Sequence, residues 1–411
     1  EAATSIVVSE GITKISDNFF SMCKRATSVT LPESLVEIGS GAFNGCYDLD
    51  YVHIPKGVTK IAPDAFRGLE NITIDEANPV YTTDEQGAIY SKDKTILYSA
   101  PCAVFTKDFV IPSTVTTIGE AAFYDSSSKS ITIPESVTKI EDYAFSGNGV
   151  STLHIPKSVT YLGVGALNGC HYMQSITIDS DNPMFTADEN AVFNKDKTKI
   201  IRFFKFEVPS YEIPYGVVTI GEDAFAHRFI KSVTIPSTVT TIEESAFDCS
   251  GLESIVIPSS VTTLGRRAFA ANSIKEVTIP GSVEVIGEDC FIANDEMTGL
   301  TIEEGVREIG AGAFDSNGWL QIITVPGTLT KVGENAISSS MVTQVNYPGT
   351  KEDAQAIDIA EGNYDFEKVI GGFTFKEKVK NFPREVKNFF KNLPHYIEDM
   401  LENIGDIFEL I

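Results

Sequence analysis

Six cysteines and five histidines are the side chains in this sequence best suited to nucleophilic catalysis or metal ligation. His53, His154, His171, His227 and His395 are dispersed, and none has the spacing of a zinc site. Cys170 and His171 are adjacent, but consecutive residues rarely face one another as nucleophile and base. No phosphate-cradling loop ending in Lys-Ser/Thr and no nucleophile elbow occurs. Asp179, Asp181 and Asn182 place three oxygen ligands within one short span. Ca²⁺ requires six to eight oxygens, and the glycine and terminal Glu of a calcium loop are missing. Asn182-Pro183 is a turn former, so a structural Asx turn is expected there. The expectation is therefore no catalytic residue, no metal and no cofactor, and a protein that is not an enzyme. A carboxylate pair assembled only in three dimensions stays open.

The cysteines point elsewhere. Cys23, Cys46 and Cys170 each lie three residues beyond Phe20, Phe43 and Leu167. Cys249 sits one residue earlier in its segment, Cys290 stands where the others have Ala, and Cys102 lies in an insertion. Thiols at a shared position in a regular pattern read as free, buried small hydrophobes, not as a disulfide framework.

The pattern is a repeat. Ser130-Ile-Thr-Ile-Pro134, Ser232-Val-Thr-Ile-Pro236 and Ser254-Ile-Val-Ile-Pro258 are each followed by a Val-Thr step and then by Ala-Phe. Within blocks the prolines recur every 22 or 23 residues, and fifteen coils fit between residues 5 and 348. Residues one and three before the proline are apolar and those between are polar, which is a half-buried strand. Pro lacks an N–H and ends the ladder. Val137 and Ile140 then turn a second short segment inward, and Phe43, Phe66, Phe145, Phe225, Phe247, Phe269 and Phe314 should stack as an aromatic column. One coil cannot bury its own apolar residues, so neighbours must. Acidic residues before the Ala-Phe pair, such as Glu141-Asp142 and Glu222-Asp223, read as acids at the N-terminus of a short helical turn.

Ile-Pro-x-Ser-Val-Thr-x-Ile-Gly-x-x-Ala-Phe-x-x-Cys resembles the BspA-like leucine-rich repeats of bacterial secreted and cell-surface proteins. The resemblance covers roughly residues 5–357. Val345-Asn-Tyr-Pro-Gly-Thr-Lys-Glu-Asp353 is similar to the ending common in that family, with Ala354 where an aromatic often follows. It implies a right-handed leucine-rich-repeat-type solenoid with a parallel β-sheet, a bacterial surface or secreted location and adhesive or binding roles. It brings no catalytic residues.

Two coils carry matching insertions, at 75–106 and 179–210. Asp75-Glu-Ala-Asn-Pro parallels Asp179-Ser-Asp-Asn-Pro, and each is followed by Lys-Asp-Lys-Thr between apolar pairs, the mark of a hairpin. The expected organisation is a solenoid over 1–348, a cap and linker over 349–371, and an amphipathic helical tail over 372–411. Within the tail, 376–391 holds six cationic and two acidic side chains, whereas 395–411 holds five acidic and no Lys or Arg. Such a tail is expected to pair with a second tail or dock on the solenoid, ahead of binding an anionic bilayer.

With 57 acidic against 32 basic residues the net charge is −25, which argues against nucleic acid as a partner. No stretch of about 18 apolar residues occurs, so no membrane span is coded. The sequence begins at Glu1 without a signal peptide, as a chain with a removed leader or a trimmed one would.

On the outward strand face, the residue two before the strand end is Thr in eight of fifteen coils, from Thr30 to Thr324. A Thr column is good sheet chemistry and little else. Recognition should sit where the column is broken, which nominates Tyr51, His53, His154 and Glu212 as a binding surface. The expected function is non-enzymatic binding or adhesion to a protein or glycan of a host or neighbouring cell. The alternative is a structural spacer or targeting module whose sheet binds nothing specific.

Overall fold

A computed structural model describes residues 5–370, apart from 47, 50, 68, 70–71, 101–107, 127, 129, 339, 365 and 367–369. The expected tail at 372–411 and Cys102 lie outside the described residues. The fold is a parallel β-solenoid of about fifteen leucine-rich-repeat turns with little helix. Its coils fall into two compact units: 1–209 with 216–230, and 210–215 with 231–411.

Each coil contributes two short strands. The first precedes the proline position and pairs in parallel with the next coil. In the second unit Glu276–Ile279, Gly299–Ile302, Ile322–Thr324 and Gln344–Asn346 form one such sheet. Its register sets Val277 opposite Leu300 and Thr278 opposite Thr301, so apolar and polar residues keep separate faces. The second strand comes from the Val-Thr-x-Ile step. In the first unit Lys14–Ile15, Glu37–Ile38 and Lys60–Ile61 pair in parallel. Glu37 there accepts from Lys14 at 3.0 Å and Lys60 at 2.9 Å. Those two hydrogen bonds, Lys60's the stronger, hold the Glu37 carboxyl below its ordinary range.

The aromatic column forms as the repeat requires. Rings of Phe43 and Phe66 stack at 5.6 Å, Phe123 and Phe145 at 5.0 Å, and Phe203 and Phe225 at 5.0 Å. In the second unit Phe247, Phe269, Phe291 and Phe314 form a column of the same kind at 5.0 to 5.4 Å, with interplanar angles between 4° and 11°. These rings are essentially without exposure. They supply the large buried area that no coil could gather alone.

The acids before Ala-Phe do not begin helical turns. The residue just before Ala has positive φ in coil after coil, Tyr143 (54°), Asp223 (56°), Ser245 (52°) and Arg267 (54°), as has Asp289 (53°) before Cys290. A left-handed residue there ends any helix before it starts. Several of the carboxylates turn to the next coil instead. Asp17 accepts from Ser40 N at 2.9 Å and Asp142 from Val164 N at 3.0 Å. A short helix, Lys351–Gln355, is started by a capping box between Thr350 and Asp353. Ala354 is the buried residue of that helix.

The insertions are two copies of one device. Asn78 is fully buried and donates to Pro55 O at 3.2 Å and Val58 O at 2.8 Å, while its Oδ1 accepts from Val80 N and Tyr81 N. Asn182 repeats this with Pro156 O at 3.0 Å, Val159 O at 2.9 Å, Met184 N and Phe185 N. Every polar atom is satisfied within protein, so the Asn-Pro turn is structural. Three antiparallel strands follow in each copy, Tyr81–Thr83, Ile89–Ser91 and Ile96–Ser99, then Phe185–Ala187, Ala191–Asn194 and Lys199–Phe203. The last strand of each returns to the parallel ladder, Ile96 beside Thr117 and Lys199 beside Thr219.

Phe145→Ala is expected to cost about 3–5 kcal/mol. The exposed Phe19→Ala should stay within about 0.5 kcal/mol of the parent. Chemical denaturation of both variants checks this, and equal midpoints would place Phe145 outside the core.

Candidate binding surface

In many coils the position three residues beyond the repeat Phe or Leu has one task. There Asn148, Asn272, Asn294 and Asn317 donate back to the carbonyls of Phe123, Phe247, Phe269 and Phe291, at 2.8 to 3.4 Å. Cys46 and Cys170 do the same with their thiols, to Phe20 O and Phe145 O, both at 3.0 Å. No disulfide joins the five described cysteines. Burial pushes the Cys46, Cys170, Cys249 and Cys290 thiols above their ordinary range. The neighbouring His171 is exposed as a residue, but its ring packs on Phe206 at 4.6 Å; this partial desolvation and the nearby Arg228 pull its pKa down. A protonated thiol committed to a carbonyl and an imidazole packed on Phe206 are not a nucleophile and its base.

Arg228, unnoticed in the sequence, takes the same position in its coil. Phe206 holds that place in the preceding coil and has no donor. Arg228 therefore reaches past it to Leu167 O at 2.8 Å, Cys170 O at 3.2 Å and Phe204 O at 3.4 Å. Its burial is complete and pulls its pKa down to about 10. The only sequence signal was an Arg three residues past a repeat Phe.

With the inward positions committed to packing, recognition is left to the outward faces. Tyr51 and His53 share one strand region, both exposed, and His53 Nδ1 lies 3.0 Å from Thr73 Oγ1. His154 repeats that contact, with Nδ1 3.0 Å from Thr177 Oγ1, and its Nε2 is 3.3 Å from Asp179. His154 lies on a different sheet of the first unit from His53. Glu212 belongs to the second unit, opposite Thr234. The structure therefore brings Tyr51 and His53 together and leaves the other two in their own surroundings.

A groove of about 680 Å³ opens on the sheet face of the second unit. Its floor is Thr278, Thr301 and Thr324, with Glu276, Gly299 and Ile322 as the parallel row beside them. Val256, 80% exposed, and Ile322, 46% exposed, give it apolar walls. The residue four before the strand end is Ser in seven of the fifteen coils, among them Ser28, Ser130, Ser175, Ser210, Ser232 and Ser254. Glu276, Gly299, Ile322 and Gln344 depart from it in four adjacent coils, and Tyr51, Asn71, Asp108 and Thr152 do so elsewhere. That column was legible, but attention to the Thr column alone passed over it.

Parallel coils of 22–23 residues, an inward Phe column and a carbonyl-capping position define a leucine-rich-repeat solenoid. The profile of the BspA type leucine rich repeat region matches residues 2–92, 94–205, 189–298, 254–358 and 288–391, so the chain belongs to that family. Among solved structures it is similar to a leucine rich cell surface protein from Faecalibacterium prausnitzii. Identity is 25%, TM-score 0.51, with 88% of this chain and 92% of that one covered. A leucine-rich repeat protein from Eubacterium ventriosum shares the fold at 20% identity and TM-score 0.53, over 85% and 94%. The pneumococcal vaccine antigen PcpA does so at 19% and 0.53, over 84% and 89%. Comparison with curated proteins finds no match.

Alkylation of the native protein should leave Cys46, Cys170 and Cys290 unmodified until denaturant is added, as peptide mass spectrometry would read. Thiols with raised pKa favour the protonated fold. Their contribution is complete below the ordinary thiol range near about 8.5 and is lost as pH climbs above it. The denaturation midpoint should accordingly fall above about pH 9.

Proposed function

We propose that this chain is a non-enzymatic binding protein of a bacterial surface or the secreted fraction, engaging a macromolecule of a host or neighbouring cell through its outward sheet face. Membership of the family, and likeness to a protein described as a leucine rich cell surface protein, support the location. The observation that carries the binding role is the open groove over Thr278 and Thr301. A shallow surface of this kind suits a macromolecule better than a small enclosed ligand. No helix among the described residues is long and apolar enough to cross a membrane. Tyr51, His53, His154 and Glu212 serve as accessory contacts, the two imidazoles steadied by threonine hydroxyls.

The test is a glycan and matrix-protein array probed with the full chain. Gly299→Trp is the blocking variant, because a Cβ there meets only Glu276 side-chain atoms at 3.6 Å and beyond. Positives are expected to vanish in Gly299→Trp with an unchanged melting temperature, and to weaken when Tyr51, His53, His154 and Glu212 are replaced together by Ala. A blank array would favour a structural spacer.

A further inference from the structure

The groove carries a charge pattern as well as a shape. Two carboxylates, Glu276 and Glu303, belong to its lining, and no Lys, Arg or His does. Nearby cations are already engaged: Lys275 pairs with Glu296 at 3.5 Å and Lys231 with Glu253 at 2.8 Å. Neither groove carboxylate has an ion-pair partner among the described residues. Glu303 accepts from Gly281 N at 3.3 Å, which turns it toward the coil that carries Glu276.

Their separation follows from register. Glu276 lies opposite Gly299 in the parallel ladder, and Glu303 follows Gly299 by four residues. Four residues of extended chain span roughly 13 Å. Between them the floor is Thr278 and Thr301, polar and uncharged. Gly299 leaves a notch between Glu276 and Ile322, its two partners in the ladder. The exposed Ile322 at the notch offers apolar surface for the methylene stem of a long cationic side chain.

We infer that the groove takes an extended, cationic polypeptide segment with two basic residues four positions apart, one reaching Glu276 through the Gly299 notch and the other Glu303. Side chains alternate along an extended segment, so residues four apart share a face and residues three apart do not. The intervening residue on that face meets threonine hydroxyls and needs to be small or polar. This inference rests on the groove being the binding face, and it specifies the partner's chemistry.

The probe is a fluorescein-labelled peptide with lysines four positions apart and serine or threonine between, titrated by anisotropy against the full chain at low ionic strength. Saturable binding is expected, weakening as salt is added. A peptide with lysines three apart should bind about fivefold less tightly, and the Glu276→Gln/Glu303→Gln protein about tenfold less tightly. Equal affinity of the two peptides, undiminished affinity of the double variant, or no binding would each overturn the inference. The same variant is then applied to the array positives. Loss of those positives in Gly299→Trp but not in Glu276→Gln/Glu303→Gln keeps the groove as the binding face and refutes the cationic partner. Positives indifferent to both variants refute the groove itself.

Discussion

Carbonyls that end the Phe turns lie where water cannot serve them, and the following coil reaches back to those of Phe20, Phe123, Phe145, Phe247, Phe269 and Phe291. Leaving such a group unpaired costs about 1–3 kcal/mol. The repeat meets this with a donor three residues past the next Phe, as Asn294 does for Phe269 and Cys170 for Phe145. The donor's place in the coil is thereby tied to the Phe column, and the strands of both ladders are tied to the Phe column by chain length. A coil that lacks the donor transfers the obligation. Phe206 is such a residue, and Arg228 bridges from the coil beyond to Leu167 O. Its guanidinium is costly to bury, yet its reach and number of donors suit three carbonyls at once.

The two insertions show the same economy of constraint. Lys-Asp-Lys-Thr turns in both copies through an Asp carboxylate that accepts from the Thr backbone and hydroxyl, Asp93 for Thr95 and Asp196 for Thr198. Lys92 and Lys195 tie the hairpins to Glu76 O and Ser180 O. The asparagines Asn78 and Asn182 stand in for ladder contacts that the broken coil cannot make. An antiparallel excursion thus enters a parallel stack without an unsatisfied edge beside it.

Where a property repeats, the sequence states it many times, and the strands, the Phe column, the free thiols and the paired insertions were legible for that reason. The acidic residues before Ala-Phe were misread because acids at a turn suit a helix start as well as a contact to the next coil. Only φ separates the two, and a side chain such as Tyr143 or Arg267 gives no hint that its backbone is left-handed. The groove was harder still. Glu276, Gly299 and Ile322 are 23 residues apart in the chain and become neighbours only through the register. Tyr51 and His53 came forward because His53 breaks the Thr column and Tyr51 is its neighbour on the strand, a reading along the chain that does not reach across the stacked sheet.

A solenoid separates stability from recognition more cleanly than a globular fold. Inward positions and carbonyl caps carry the stacking, so outward positions drift at little cost, provided that strand propensity is kept. The Thr column is what remains when nothing else is required of a solvated strand. A departure at one coil is then weak evidence of function, since any polar residue serves there. At Glu276, Gly299 and Ile322 the departures add a carboxylate, remove a side chain and expose an isoleucine on one continuous surface. Sheet stability alone favours none of them: Gly299 weakens a strand, and Ile322 leaves apolar surface in water. Substitutions that oppose the scaffold's preferences and coincide in space are the physical ground for treating that stretch of the sheet as the surface under functional demand.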